Sequence, residues 1–268
     1  MNEGEFYIDN DFPPSARSLY YDPLHPPKGA IPNESIKWLR ISTGDVTDCD
    51  NPKYSNYDHG SSLIEQGALG DRYIVNALRL IASKPEFMKR LLVSDRFSHQ
   101  GLYTFKFCKS GKWRYVHIDD SIPCRQSGKV NFSRNHNHNE TYAMLVEKAY
   151  AKLHGSYEAI AFGLTEKVLH EFCESSVQCI RVDTLVAADR CNVVWEVLEK
   201  AMETKRLVGC LRTTPDPYTE NPAKRKGISL ETMYEVIDVH VTSAEPSEDL
   251  DGITVGLVCV RILQVRRR

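Results

Sequence analysis

No apolar run in this chain of 268 residues approaches the roughly 18 residues that a membrane-crossing helix needs. No transmembrane segment is therefore expected. A strong charge of one sign is missing too. The formal net charge is −2, which argues against nucleic acid as a general partner. The eight cysteines show no close pairing pattern. The start, Met1-Asn2-Glu3-Gly4-Glu5, is too acidic and polar for a secretory leader. Reduced thiols and a cytoplasmic location are the expectation. Asn2 leaves the myristoylation pattern unfilled. The sequence contains no D-x-D-x-D-G calcium loop and no internal repeat. The basic runs Lys224-Arg225-Lys226 and Arg266-Arg267-Arg268 read as solvated loop and tail.

What is present divides into three stretches. Residues 1–60, rich in Pro, Asp, Asn and Tyr, read as an extended N-terminal wrap over a first lobe. Residues 61–172 form that lobe. Helical periodicity predicts helices over 69–83, 85–93 and 141–154, the last stopped by Gly155. Alternating segments at 102–107 and 113–118 flank Lys109-Ser110-Gly111-Lys112, which predicts a hairpin. Residues 173–268 form a second lobe, with a boundary near 172–176. Strand patterns fall at 177–182, 207–211, 234–241 and 253–262. An amphipathic helix is expected over 193–205, with Asn192 as candidate N-cap. The fold class is α+β, with a helical first lobe and an antiparallel-sheet second lobe.

The chemistry concentrates in Gln66-Gly67-Ala68-Leu69-Gly70-Asp71-Arg72-Tyr73. This reads as a tight Gly-rich turn that opens a helix. A side chain in the first helical turn faces the positive end of the dipole. A thiol protease places its nucleophile there because the dipole lowers the thiol pKa. Here the position holds a guanidinium, which carries donors only and cannot attack a carbonyl.

The same stretch resembles the nucleophile segment of the calpain protease core, QGALGDCW. Gln66 to Asp71 match it letter for letter, with Arg72 for the Cys and Tyr73 for the Trp. Residues 145–159, LVEKAYAKLHGSYEA, resemble the calpain segment LLEKAYAKxxGSYEA. Tyr7 to Pro13 resembles the family's F-x-D-x-x-F-P entry, and Trp38-Leu39-Arg40 the Trp segment after it. The resemblance covers residues 6–264 and implies a papain-like two-lobed core.

It also implies where a triad would stand. A thiolate attacks, an imidazole carries the proton, and a third residue orients the imidazole. The calpain G-H-A-Y-S-V strand start matches Glu231 to Val236, which puts Thr232 at the His position. The R-M-R-N-P-W segment matches Cys259 to Gln264, which puts Ile262 at the Asn position. All three triad positions are then replaced, by Arg72, Thr232 and Ile262, and an inactive core is expected. Gln66 stands at the family's oxyanion-donor position, where its amide is expected to satisfy backbone groups of the turn. Cys49, Cys108, Cys124, Cys173, Cys179, Cys191, Cys210 and Cys259 are candidate substitute nucleophiles. Most lie in apolar patterns, where Cys is a small buried hydrophobe. A shifted register would make His240 the base, with no Cys then matched to it.

Metal chemistry is weighed in the same way. Glu158 matches one carboxylate of the calpain calcium site in the first lobe, but its Asp partner aligns with Leu63. That leaves Glu158 a weak calcium candidate. His136 and His138 would need a third ligand to hold zinc, which His99, His117 and His154 are not spaced to supply. No cofactor is expected. Arg72 either pairs with a carboxylate of the second lobe, Glu231 or Glu235, or extends into a solvated cleft.

Calpain-like proteins with degraded triads are associated with cytoskeleton, flagella and cell morphogenesis. The resemblance therefore implies a structural or scaffolding role with protein partners, at the cytoskeleton or a microtubule-based flagellum. A peptide-binding regulator of active calpains, holding an extended peptide in the old cleft, is the second reading. A divergent calcium-dependent cysteine endopeptidase is the third. The chain ends at Arg268, just past the resemblance, so partner binding is expected on the core's own surfaces.

Overall fold

The computed structural model describes residues 4–55, 63–181, 191–211, 231–242 and 257–263, with backbone alone at 191–192, 240–242 and 257–263. The chain forms two compact units, Met1–Val177 and Gln178–Arg268. The fold is α+β, with helices and antiparallel sheets.

In the first unit, α1 (Ala16–Leu19) precedes β1 (Ile36–Arg40) and β2 (Ile64–Glu65). The N-terminal stretch read as a wrap thus contributes a paired strand. Two helices follow, α2 (Arg72–Ala82) and α3 (Pro85–Leu91). Pro85 sits at the first helical position, where its missing N–H costs nothing. The chain then turns directly into β3 (Leu92–Phe97), β4 (Leu102–Lys109) and β5 (Lys112–Asp119), one antiparallel sheet in the order β3-β4-β5. The expected hairpin is present. Next come β6 (Ser121–Arg125), which pairs with β1, and β7 (Arg134–Asn135), which pairs with β2. The unit ends with α4 (Tyr142–His154) and α5 (Thr165–Cys173).

Helix α4 is the centre of this unit. Every residue from Tyr142 to Ala151 is buried, so the helix is core on all sides. It ends at Gly155, whose φ of 106° closes the last turn. Its Tyr150 packs with Phe107 and Phe172, and Phe107 with Phe105, at ring-centroid distances of 5.4–6.5 Å. Helix α2 contributes Ile74, Val75, Ala77, Leu78 and Ile81, each 0% exposed. Each large side chain there is worth about 1.5–3 kcal/mol of burial.

In the second unit, α6 (Cys191–Glu203) packs on β9 (Met233–Thr242). With β8 (Gly209–Leu211) and β10 (Leu257–Leu263), β9 forms an antiparallel sheet in the order β10-β9-β8. Asn192 lies inside the helix rather than before it. The strand expected over 177–182 is not formed at 177–181, which carry no regular structure. That segment spans the junction of the units, and its apolar alternation finds no strand to pair with among the described residues.

Candidate functional site

The turn 66–71 is held by close backbone approach, not by unusual torsion angles. A Cβ on Gly67 would collide with the Phe132 carbonyl, and one on Gly70 would lie 2.9 Å from Ala161 O. Neither glycine has a positive φ. The Ala68 N–H donates to Asn131 O at 2.9 Å and fixes the turn to the strand segment beyond β6.

Helix α2 begins at Arg72, so this side chain occupies the first helical turn. Its guanidinium is exposed, and its Nε donates to Gln66 Oε1 at 2.8 Å. The Gln66 Nε2 in turn donates to Leu69 O at 2.8 Å. Both ends of the carboxamide are therefore engaged within the turn. Tyr73 points the other way. Its hydroxyl donates to Ile160 O at 3.0 Å, and burial raises its pKa above the usual phenol value.

Beneath the turn lies a carboxyl pair. Asp71 precedes α2 and is 0% exposed. Among the described residues no hydrogen bond of ordinary geometry reaches its oxygens. The neighbouring Glu147 of α4 acts on it instead. Burial, then the Asp71 charge, holds Glu147 well above the carboxylate range. Burial also raises Asp71. Burial and like charge both disfavour the ionised form of such a pair. Ser133 N–H donates to both Glu147 oxygens at 3.2 Å.

The next residue of α4 faces a different neighbour. Lys148 is fully buried and lies 2.5 Å from Asp119 Oδ1 and 2.8 Å from Ser121 O. Asp119 also accepts Asp9 N–H at 2.9 Å. Lys152 reaches both oxygens of Asp9 at 2.7 and 2.8 Å. Helix α4 thus presents a buried carboxyl to Asp71 at the start of α2, and lysines to the N-terminal segment and the end of β5. Sequence reading took this block as a family motif and missed its two buried ionisable groups, Glu147 and Lys148. The signal available was an adjacent Glu-Lys inside an otherwise apolar helical run.

In the second unit, Thr232 is half-buried immediately before β9. Ile262 pairs with Val236, past a register shift at Arg261/Ile262. The ladder therefore does not set Ile262 opposite Thr232. Val236 lies four residues along the strand, about 13 Å away at strand rise. The same ladder pairs Cys259 with His240. Glu231 and Glu235 belong to this unit, whereas the Gln66 contact of Arg72 lies within the first.

The remaining candidates have local partners. Glu158 Oε2 accepts Tyr21 N–H at 2.8 Å. His136 Nδ1 lies 3.1 Å from Glu65 Oε1, and His138 Nδ1 lies 3.7 Å from Asp48 Oδ2. The two rings of the His-x-His thus face different carboxylates. Among the described residues, no three His, Cys, Asp or Glu gather as a metal site would need. Cys49, Cys108, Cys124 and Cys173 are buried. Burial pushes the thiols of Cys49 and Cys173 up to about 11 and that of Cys124 up to about 12. These thiols are moved away from thiolate, the opposite of what a nucleophile needs. Cys179 is exposed. Among the described residues no helix is long and apolar enough to cross a membrane.

A Gly-rich turn feeding a buried-faced helix, in an α+β chain of two units, is the scaffold of a thiol-protease core. The chain belongs to the calpain family of cysteine proteases, whose profile matches residues 7–261. It is 36% identical over 166 residues to the calpain-type cysteine protease DEK1 of Zea mays, covering 61% of this chain and 8% of that protein. It is 36% identical over 164 residues to the protein of the same name in Arabidopsis thaliana, again 61% and 8%. It is 28% identical over 242 residues to Calpain-B of Drosophila melanogaster, covering 89% of this chain and 24% of that protein. The chain spans at most 24% of the length of these relatives.

Proposed function

We propose that this chain is a calpain-like core without peptidase activity, serving as a structural or scaffolding component of a cytoskeletal or flagellar assembly. One observation carries the loss of chemistry. The first turn of α2 bears Arg72, and its guanidinium engages the carboxamide of Gln66 at 2.8 Å. A guanidinium cannot serve as a nucleophile. One N–H of the Gln66 amide is given to Leu69 O and its carbonyl oxygen accepts from the guanidinium, so the carboxamide is tied into the turn. The raised thiols of Cys49, Cys124 and Cys173 support the same reading, since none is prepared to substitute. A scaffold needs only the frame, and the family's turn and helix segments persist here with their packing.

The test has two arms. Purified protein, with and without calcium, is offered casein and an epoxysuccinyl peptide probe. The expected result is no hydrolysis and no covalent labelling. Fluorescently tagged protein in cells is then extracted with detergent, and retention on filaments is expected. A tagged protein that washes out but competes with an active calpain for its substrates moves the assignment to the regulatory reading.

The pairing of Cys259 with His240 in the β9–β10 ladder favours, as a second reading, a divergent peptidase. Probe labelling mapped to Cys259 would establish it.

A further inference from the structure

The outer edge of β5 carries no strand among the described residues, since the sheet order ends at β5. The hairpin register tells which backbone groups face outward. Ser110 at φ 53° and Gly111 at φ 69° form the two-residue turn that fits strand twist. Lys109 and Lys112 are then a hydrogen-bonded pair. Alternation down the ladder leaves Trp113, Tyr115 and His117 at non-hydrogen-bonded positions, opposite Cys108, Lys106 and Thr104. Their N–H and C=O groups point away from β4. Two contacts agree with this. Thr104 Oγ1 and His117 Nδ1 meet across the close pair at 2.9 Å. Lys152 Nζ reaches the His117 carbonyl from outside at 2.8 Å.

Beside this edge lies an open recess of about 430 Å³, lined by Lys109, Arg114, Tyr115, His117, Lys152 and Asp11 among others. Asp9 offsets Lys152, while Lys109 and Arg114 against Asp11 keep the recess positive. Lys106 and Lys112 extend the positive field along the hairpin. The side chains along the edge are broad; Trp113 is half-buried with its indole N–H on Glu174 Oε2 at 3.0 Å, the one carboxylate at that end of the hairpin among the contacts described. Tyr115 is 61% exposed, and Lys106 Nζ lies 4.8 Å above the Trp113 ring.

We propose that the outer edge of β5 takes an extended acidic segment of a partner polypeptide as a fourth strand. Main-chain donors and acceptors on the edge would supply pairing, and the lysines and Arg114 would select carboxylates. A phosphate polymer would use the cations but leave the alternating backbone groups unmatched. The surface does not involve position 72 and does not depend on whether the core has peptidase activity.

The probe is a fluorescein-labelled peptide of alternating Glu and Thr, with the Lys–Thr peptide as control. Fluorescence polarisation is expected to show binding of the first alone, weakening with salt. Hydrogen exchange on the wild-type protein is expected to show the amides of Trp113, Tyr115 and His117 becoming protected. Tyr115→Pro removes an outward N–H that β4 does not use, so the hairpin is kept and the edge is blocked. It is expected to weaken binding at least about tenfold beyond Tyr115→Ala, which removes the ring alone. Absent binding, equal affinities in the two variants, or protection elsewhere would each overturn the proposal. So would a single-stranded oligonucleotide that displaces the peptide at equal concentration. Should Tyr115→Pro misfold, the exchange pattern of the wild type still decides.

Discussion

Lys148→Met removes the ammonium at the centre of the first unit's polar network while keeping an apolar stem of similar length. The native Nζ is 2.5 Å from Asp119 Oδ1 and 2.8 Å from Ser121 O. With methionine there, Asp119 remains 0% exposed. It keeps two backbone donors, Asp9 N–H and Ser121 N–H, each at 2.9 Å, and loses its closest counter-charge. Breaking one side of such a buried pair costs about 3–5 kcal/mol. At about 2–4 °C per kcal/mol for a unit of this size, the melting temperature falls by roughly 6–20 °C. Urea unfolding near pH 7, followed by tryptophan fluorescence, measures it. A loss below about 1 kcal/mol refutes the reasoning, because the pair would then contribute no more than a solvent-exposed one. The pH dependence is a second check. Burial alone would raise Asp119, but Lys148 and the backbone donors outweigh it and hold its pKa below the usual value. A lowered carboxyl pKa supplies stability that is present above the unfolded value and lost as pH falls through the folded one. The variant forfeits that contribution, so its deficit against wild type narrows in acid. Burial itself lowers Lys148 despite its partner, so the pair is held at a desolvation cost. Lys148→Met combined with Asp119→Leu is expected to recover only part of the loss, because the Asp9 and Ser121 N–H groups then lose their acceptor.

Three further outcomes follow from the same geometry. Glu147 has a raised pKa, so its favourable contribution is present below the unfolded value and lost as pH rises through the folded one. Glu147→Gln is therefore expected to gain stability over wild type as pH rises above the ordinary carboxylate range, and a flat difference would count against the raised carboxyl. Gly67→Ala drives a Cβ into the Phe132 carbonyl and is expected to cost about 1–3 kcal/mol by forced backbone shift; an unchanged melting temperature would refute the close approach. Tyr150→Phe takes the hydroxyl from Glu171, leaving His154 Nε2 at 3.4 Å as its partner. A loss of about 1–3 kcal/mol is expected in thermal unfolding.

The elements most legible in the sequence were those whose periodicity is complete within one segment. Helix α4, with its helical period stopped by Gly155, and the β4–β5 hairpin, with its Ser-Gly turn, both appear where their patterns place them. Segment 177–181 was misread because alternation alone cannot supply a neighbouring strand. Strand β3 was missed because Leu92 to Phe97 alternates only weakly and gains its pairing from β4. At the site, the local motif placed Arg72 on the first turn of α2. Motif matching could not show that Gln66 uses both ends of its carboxamide locally, since that depends on how the turn folds back. The relation of Thr232 to Ile262 is harder still. It is set by a register shift at Arg261/Ile262 that no local pattern encodes.

The placement of Asp9 has a practical consequence for anyone who trims this chain. Asp9 caps Lys152 and donates its own N–H to Asp119, while Phe12 is 2% exposed. A shortened version begun after the first dozen residues would take from Lys152 its carboxylate, from Asp119 one backbone donor and from the core the Phe12 ring. A boundary at the start of the family match, residue 7, retains these contacts, and one placed a few residues later loses them.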